Sequence, residues 1–382
     1  MTIPKQSWTV NVLDDLGEEG LQLVADFFNE NFPGVFFPLC SPALFRWKLG
    51  ETNPAGRGFM TVAISDGRVV GTTSATRRIL NIEGRRAESV EIGDTFTHPE
   101  FRKSGFCETL YPGTGSEDHY LNKSIFGRLV TETLDRVRNA GISHVYGTPN
   151  ANSKPPYISR LAFHEISEGK IRIWSYITPN LKVHSRFTLL IRLLTQIQTL
   201  VQRINLKISG REIEITNAAS AMMIAEVGSA IQHRTYFGTL KSGFTVVEQS
   251  PEFIRHRYVD HPSYVYQFFR VQKKNVVIGW IICMRVTRQS GRDTLVISDW
   301  INIDGDLERE LPLYVGLIAA THRDVEIVTL WANGAIAKGT AWARFGFIGR
   351  NQVSVIAKNL IGESPESIHD FADFRIGWSD NG

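Results

Sequence analysis

A glycine-containing turn after a long strand is the segment of this chain best suited to chemistry. Residues 90–102 read VEIGDTFTHPEFR, an extended run that ends at His98-Pro99, and Lys103-Ser104-Gly105 follow. Residues 125–141 then carry apolar side chains at helical spacing and end at a glycine. Backbone N–H groups converge where such a turn leads into a helix, and the helix dipole favours an anion there. The pattern predicts a phosphate-binding turn, with added positive charge from Arg102.

The same segment resembles a family motif. THPEFRKSGFC, residues 97–107, is similar to the coenzyme A pyrophosphate loop of the GNAT N-acetyltransferases, Arg/Gln-x-x-Gly-x-Gly/Ala after a strand. Asn150, Tyr157 and the run LAF at 161–163 resemble a second pattern of that family. The resemblance covers residues 8–175 and, in outline, 212–357. It implies transfer of an acyl group from acyl-CoA, either acetyl-CoA or a short hydroxyacyl-CoA, to an amine, without a metal.

The resemblance also implies roles for single residues. The strand before the phosphate turn diverges from its neighbour in this family, so freed N–H groups near Phe96 and Thr97 would hold the thioester carbonyl. Tyr157 occupies the position of the acid that returns a proton to the thiolate, with a purely structural buried Tyr as the alternative. Asn150 and Ser153 would touch the pantetheine arm or simply cap the helix. The residues expected to contact acyl-CoA are Phe96, Thr97, Arg102, Lys103, Ser104, Gly105, Phe106, Asn150 and Ser153.

Three titratable side chains near the end of the strand are candidates for the general base. Asp94 lies closest to the carboxylate position of the family, counting back from Pro99, and Glu91 would act through a water. A regular strand would point the two carboxylates to opposite faces. His98 has a suitable pKa but lies in the turn, where a solvated His is commoner.

Two features depart from the family pattern. Cys107 stands where Gly or Ala is usual, and the polar insert ETLYPGTGSEDHYLN, residues 108–122, separates the turn from its helix. The insert would either fold over the ligand as a lid or form a surface insertion.

Composition narrows the class of protein. The 382 residues are 42% hydrophobic and 21% charged, with a net charge of +3 that predicts no nucleic-acid partner. Three cysteines without a C-x-x-C pair argue against a disulfide framework or a zinc cluster. The N-terminus does not read as a secretory signal, and we therefore expect a cytoplasmic location.

Residues 187–208, FTLLIRLLTQIQTLVQRINLKI, form the most apolar stretch of the chain. Arg192, Arg203, Lys207 and three glutamines make it a poor membrane span, so we expect no stable membrane insertion. Its helical periodicity predicts either a helix packed between domains or an amphipathic helix on a membrane surface.

An internal repeat predicts the domain organisation. SPALFRWKL at 41–49 is repeated as SPEFIRHRY at 250–258, and similar strand, turn and helix patterns surround both copies. Each half reads β-α-α-β-β-β-α-β-α-β, which predicts an α/β fold with mixed sheets and helices on both faces. The expected units are a first GNAT-like domain at 1–180, a helical linker at 181–211, a second GNAT-like domain at 212–360 and a tail at 361–382.

The second copy lacks the phosphate turn. The acidic stretch DGDLERE, residues 304–310, follows its central strand, and repulsion there would disfavour coenzyme A. We therefore expect a degenerate second domain and one acyl-CoA per chain.

The acceptor is the least specified part of this interpretation. Residues 89–163 are similar to bacterial GNAT proteins of surface polysaccharide synthesis, including lipopolysaccharide, which implies a small amine acceptor such as a dTDP-linked amino sugar. The alternatives are a peptidoglycan-type aminoacyltransferase that uses aminoacyl-tRNA and a non-catalytic acyl-CoA-binding protein. A homodimer is compatible with the sequence.

Overall fold

The computed structural model describes residues 7–32, 39–102, 106–107, 124–166, 171–182, 212–233, 245–287, 291–303, 306–322, 324–333, 342 and 345–361. It also describes helical residues at 189, 190, 193, 196, 197 and 200. We call residues 7–182 the first half and residues 212–361 the second half. The fold class predicted from the sequence is confirmed, because the chain forms two mixed sheets with helices packed on them.

The elements of the first half follow the predicted order. They are β1 (Ser7–Val12), α1 (Leu13–Asn31), α2 (Pro42–Leu49), β2 (Phe59–Ser65), β3 (Arg68–Ile82), β4 (Arg85–Thr97), β5 (Phe106–Cys107), α3 (Ile125–Asn139), β6 (His144–Gly147), α4 (Lys154–Leu161), β7 (His164–Glu165) and β8 (Ile171–Ile177).

The second half has a similar order, with an additional strand between its first two helices. Its elements are β9 (Ile213–Ala218), α5 (Ser220–His233), β10 (Thr245–Val247), α6 (Pro251–Ile254) with a π-helical turn (Arg255–Val259), β11 (Tyr266–Lys273), β12 (Val276–Thr287), β13 (Asp293–Asn302), α7 (Asp306–Thr321), β14 (Ile327–Asn333), β15 (Phe347–Val353) and β16 (Ile356–Asn359).

Short turns with left-handed backbone set the register of the long hairpins. Asp66-Gly67 joins β2 to β3 at φ values of 49° and 72°, and Lys274-Asn275 joins β11 to β12 at 51° and 64°. Such pairs of positive φ angles match the twist of antiparallel strands, and Gly and Asn tolerate them best. The repeated turn chemistry in the two halves therefore builds the same three-stranded meander twice.

The two sheets are closed by strands that cross over. The first sheet has the order β5-β1-β2-β3-β4-β6-β16-β7, with β10 also paired to β3, and the second has β15-β8-β14-β13-β12-β11-β9. Thus β8, from the end of the first half, pairs with β14 and β15. In return β16, from the end of the second half, pairs with β6 and β7. Each half supplies a strand to the sheet of the other, so the boundary predicted at residue 180 follows the chain and not the sheets.

Helices cover the first sheet where its central strands meet. α3 packs Val130, Leu134 and Val137 against Val90 and Ile92 of β4. α1 and α2 join Phe27, Phe28 and Phe45 in another cluster beside β2. The middle of β4 is therefore fixed by helices that pack against the sheet around it.

The linker predicted at 181–211 is helical at the six positions described within 189–200. Within the described part of the chain, no helix is both long enough and apolar enough to cross a membrane.

Candidate active site

Two parallel strands separate at the end of the first sheet, as the family resemblance implies. β4 pairs with β6 from Ser89–His144 to Ile92–Gly147, and β4 then continues to Thr97. A Cβ on Gly147 would lie 2.8 Å from the Ile92 carbonyl oxygen, so only glycine allows this close approach before the strands diverge. The divergence leaves one edge of β4 beyond Ile92 outside the β6 ladder, where backbone donors can meet a ligand.

A β-bulge lies at this point of β4. The register shifts between Thr72 and Ser74 of β3, so Thr73 faces two residues of β4, Asp94 and Thr95. Asp94 has a φ of 47°, which is uncommon for a residue other than glycine. The Thr72 hydroxyl donates to the Asp94 carbonyl at 2.6 Å and helps to hold the bulge.

The Asp94 carboxylate is oriented by two donors. Its Oδ2 accepts from Nζ of Lys48 at 2.5 Å and from the hydroxyl of Ser74 at 2.7 Å. The Lys48 side chain is 7% exposed and that of Asp94 is 17% exposed. Among the described residues, Oδ1 of Asp94 has no hydrogen-bond partner, so it is the oxygen available to a substrate amine.

The helix α2 fixes Lys48 because its own start is well capped. Ser41 accepts a hydrogen bond from the Leu44 amide, and Pro42 occupies the first helical turn. The Cys40 thiol precedes this cap and is buried. Burial raises the pKa of Cys40 to about 12, and the charge of Asp94 adds to the rise. Cys40 is therefore a neutral thiol beside the carboxylate at physiological pH.

Glu91 and His98 have other environments. Glu91 is fully buried in an ion pair with Arg78, at 3.3 Å between Oε2 and Nη2. A buried pair of this kind is closed to water and is expensive to break. Nδ1 of His98 accepts from the Glu100 amide at 3.4 Å in the turn after β4. Of the three candidates for the base, Asp94 has the most suitable combination of exposure and free oxygen.

Tyr157 lies against the bulge. The helix α4 places its hydroxyl 2.8 Å from Oγ1 of Thr95, and the ring packs edge-on against Phe126 and Phe163. The side chain is 3% exposed, and Ala162 ends the helix in the left-handed conformation at φ 53°. The Tyr157 phenol therefore contacts Thr95, and Thr95 is the neighbour of Asp94 in the bulge. A phenol and a carboxylate at adjacent positions are suited to moving two protons during acyl transfer.

Comparison with known families agrees with this geometry. The sequence profile of the family described as Acetyltransferase (GNAT) domain matches residues 16–166. A search of curated protein sequences finds no match.

Solved structures share the fold across both halves. A GCN5-related N-acetyltransferase from Anabaena variabilis has 13% identity and a TM-score of 0.53, covering 90% of this chain and 71% of that one. A probable N-acyltransferase from Enterococcus faecalis has 12% identity and a TM-score of 0.53, with coverages of 92% and 73%. N-myristoyltransferase from Saccharomyces cerevisiae, solved with bound myristoyl-CoA, has 12% identity and a TM-score of 0.54, with coverages of 94% and 81%.

These identities show a common fold and not a common substrate. The match covers both sheets, in agreement with two GNAT-like domains. Together with the matched domain, the shared fold supports an acyl-CoA-dependent acyltransferase.

The residues predicted to contact the diphosphate of acyl-CoA are described in part. Arg102 donates from Nε to the Thr97 carbonyl at 3.0 Å, and its guanidinium lies 5.2 Å from the centre of the Phe96 ring. Phe96 also packs against Phe32, at 4.6 Å between ring centres. The guanidinium is thus held at the end of β4 while its side chain stays exposed.

The rest of the predicted turn lies mostly outside the described residues. This applies to Lys103, Ser104 and Gly105 and to the insert at 108–122. The backbone of Phe106 belongs to β5, which runs parallel to β1. Beyond the gap, Ser124 caps α3 by accepting from the Gly127 amide at 2.8 Å.

Asn150 and Ser153 form the turn before α4. Oδ1 of Asn150 accepts from the amides of Asn152 and Ser153 at 2.9 and 3.0 Å. These contacts account for both residues as turn formers, and their contact with a pantetheine arm stays a prediction.

Sequence reasoning missed three residues of the site, namely Lys48, Ser74 and Thr95. Lys48 belongs to the repeated segment 41–49, so the repeat was a signal for its importance, but its ion pair joins positions far apart in the chain. Ser74 and Thr95 look like ordinary strand residues, and only the bulge gives them a role.

Residues of the second half lie beside this site. The Trp47 ring stacks on His256 at 4.8 Å, and its Nε1 donates to the His256 carbonyl at 2.9 Å. Burial raises the pKa of Tyr264, and the nearby Cys40 thiol raises it further. Tyr264 of the second half therefore lies close to Cys40 and, through it, to the flank of Asp94.

In the described ranges, no group of three or more His, Cys, Asp or Glu side chains has an arrangement that would hold a metal ion.

Proposed function

We propose that this chain is an N-acyltransferase that moves an acyl group from acyl-CoA to the amine of a small acceptor. The observation that carries the proposal is the bulge in β4, which contains Asp94 and its neighbour Thr95, whose hydroxyl contacts the Tyr157 hydroxyl. The N-myristoyltransferase structure that shares the fold holds myristoyl-CoA, which supports a coenzyme A thioester as donor.

In the proposed reaction, Asp94 accepts one proton and Tyr157 donates another. As the amine nitrogen attacks the thioester carbonyl, Oδ1 of Asp94 accepts the amine proton. Backbone N–H groups of β4 beyond Ile92 stabilise the negative charge on the carbonyl oxygen. The C–S bond then breaks, and the Tyr157 hydroxyl donates a proton to the leaving sulfur. The products are an amide and free coenzyme A.

The donor would lie along β4, with its diphosphate toward Arg102. The proposed contacts are Phe96, Thr97, Arg102, Lys103, Ser104, Gly105, Phe106, Asn150 and Ser153. Arg102 supports this placement because its guanidinium is fixed at the strand end by the Thr97 carbonyl. Guanidinium groups bind phosphates with paired hydrogen bonds.

The acceptor would bind between the halves. Tyr264 brings aromatic surface to the neighbourhood of Cys40 and is only partly buried. Aromatic faces suit the apolar face of a sugar ring, and we therefore propose a nucleotide-linked amino sugar of surface polysaccharide synthesis. Such substrates and acyl-CoA occur together in the cytoplasm, where we place the reaction.

The test is a product assay with the purified chain. Acetyl-CoA and a dTDP-linked amino sugar should yield free coenzyme A and an acetylated sugar whose mass is 42 Da higher, as expected for replacing one amine hydrogen with an acetyl group. Parallel reactions contain simple amines or aminoacyl-tRNA. Transfer from aminoacyl-tRNA, or tight acyl-CoA binding without turnover on any amine, would contradict the proposal.

A further inference from the structure

A row of apolar side chains on the linker helix faces solvent. The described members are 45 to 59% exposed, and they are Leu189, Leu190, Leu193, Ile197 and Leu200. Positions 190, 193, 197 and 200 are separated by three and four residues, which places them on one face of a helix. We call these five residues the apolar row.

The sequence between and beside these positions has the same periodicity. At 100° per residue, the apolar residues of 187–204 fall within an arc of about 200°, and Gln198 is the only polar residue inside it. A face of this width forms a continuous apolar patch, unlike single exposed leucines, and continuous patches of this kind mark interaction sites.

The charge of the same segment is one-sided. Residues 181–211 contain six of the 42 Lys and Arg residues of the chain and none of its 39 Asp and Glu residues. The remainder therefore has 36 basic and 39 acidic residues, so the positive net charge of the protein comes from this segment. Its cations are Lys182, Arg186, Arg192, Arg203, Lys207 and Arg211.

We propose that this helix lies in the surface of a membrane rich in anionic phospholipids. A wide apolar face with basic and uncharged polar residues opposite is the pattern of a helix that rests in the headgroup region. The cations would meet lipid phosphates while the apolar row enters the acyl boundary. A second copy of the chain is the less suitable occupant, because a two-fold contact would bring together two segments that each contain six Lys or Arg residues and no Asp or Glu.

The test is sedimentation of the full chain with lipid vesicles. Vesicles of phosphatidylcholine with about 30 mol% phosphatidylglycerol should bind the protein at least tenfold more tightly than phosphatidylcholine alone, and salt should weaken the binding. Equal binding to both vesicles, or no binding to the anionic ones, would overturn the proposal.

Two neighbouring positions provide a matched pair of variants. Ile197 and Gln196 are both helical and exposed, but only Ile197 belongs to the apolar row. Ile197→Asp should weaken binding to anionic vesicles at least tenfold, whereas Gln196→Asp, with the same added charge, should change it less than about threefold. Equal losses in the two variants would contradict an inserted apolar row.

Two further measurements keep the result unambiguous. Ile197→Ser repeats the binding test without adding charge. The unfolding midpoint of each variant should match that of the parent, because the side chains of Gln196 and Ile197 are both exposed. Light scattering without lipid gives the mass in solution. A dimer that Ile197→Ser converts to a monomer would assign the apolar row to self-association and overturn the membrane proposal.

Discussion

Each half of the molecule places an aspartate beside a bulge in its central strand, but the two aspartates have opposite environments. Asp94 in β4 is partly exposed and bonded to Lys48 and Ser74. Asp299 in β13 is fully buried, close to the register shift between Ile282 and Cys283. One carboxylate is open to a substrate, and the other is part of a closed core.

The donors around Asp299 explain this difference. Its Oδ2 accepts from Gln249 and from the Tyr258 hydroxyl, both at 2.7 Å, and Oδ1 accepts from the Trp300 amide at 2.8 Å. Burial raises the pKa of Tyr258 well above its usual value, and the charge of Asp299 adds to the rise. Both oxygens are therefore occupied, and none is left for an amine.

Both halves also contain a pair of parallel strands that diverge. In the second sheet, β13 pairs in parallel with β14 from Thr294–Ile327 to Ile297–Leu330, and both strands then continue. Each sheet thus contains one pair of parallel strands that diverge. In the second half, the acidic segment 304–310 follows the first strand of that pair. A repeated fold keeps the backbone geometry of a site, and side-chain charge and solvent access decide which copy performs chemistry.

Removing the carboxylate charge of Asp94 should have the largest effect. We predict that Asp94→Asn lowers kcat by about 100-fold, because the amide cannot accept the amine proton. Steady-state assays and calorimetry with acetyl-CoA would measure kcat and donor binding, and donor affinity should stay within about threefold. An unchanged kcat and pH–rate profile would remove Asp94 from the reaction.

Removing the Tyr157 hydroxyl should have the next largest effect on kcat. We predict that Tyr157→Phe lowers kcat by about 30-fold, a smaller effect because a thiolate is a good leaving group. The KM for acyl-CoA should change little. Donors whose leaving thiols have lower pKa values should reduce the defect, and a defect that is the same for every donor would indicate a structural role.

The phosphate side should affect binding and not the chemical step. We predict that Arg102→Glu raises the KM for acyl-CoA at least tenfold, because a carboxylate would repel the diphosphate. Lys274→Glu in the hairpin turn of the second half makes the same change of charge and should leave the KM unchanged. Equal effects of the two variants would mean that Arg102 acts only through net charge.

Changes around the buried Asp299 should affect stability and not kcat. We predict that Tyr258→Phe lowers the free energy of unfolding by about 1–3 kcal/mol, because Asp299 loses a buried donor. Denaturant unfolding would measure the loss, and kcat at a temperature well below the transition should equal that of the parent. A fall in kcat without a loss of stability would contradict the closed core.

High pH should destabilise the folded chain through Cys40. Its pKa is 9.0 when unperturbed and about 12 in the folded chain, so the unfolded state loses its proton first as the pH rises. The free energy of unfolding should therefore fall above pH 9, by about 1.4 kcal/mol per pH unit for this thiol. Cys40→Ala should show a shallower slope between about pH 9 and 11, and identical slopes would contradict the buried neutral thiol.

Local patterns predicted the elements of this fold well. The repeat of 41–49 at 250–258 predicts a matching pair of elements, and the structure contains a serine-capped helix at each position. Pairing between distant strands was beyond such patterns. The exchange of β8 and β16 depends on contacts between segments that are nearly 200 residues apart, and no local signal records them.

The sequence suggested individual candidate residues but not the contacts between them. Asp94 and Tyr157 followed from motif positions, whereas the bulge, the ion pair with Lys48 and the contact of Thr95 with Tyr157 depend on strand register. One residue of shift reverses the face of every side chain, and sequence alone did not determine that shift.

The most direct measurement is a crystal structure with a non-hydrolysable thioether analogue of acetyl-CoA. We expect one analogue per chain, with its sulfur within about 3.5 Å of the Tyr157 hydroxyl and its carbonyl facing the amides of β4 beyond Ile92. An analogue bound beside β13, or bound with its sulfur far from Tyr157, would contradict the assignment of acyl transfer to the first half.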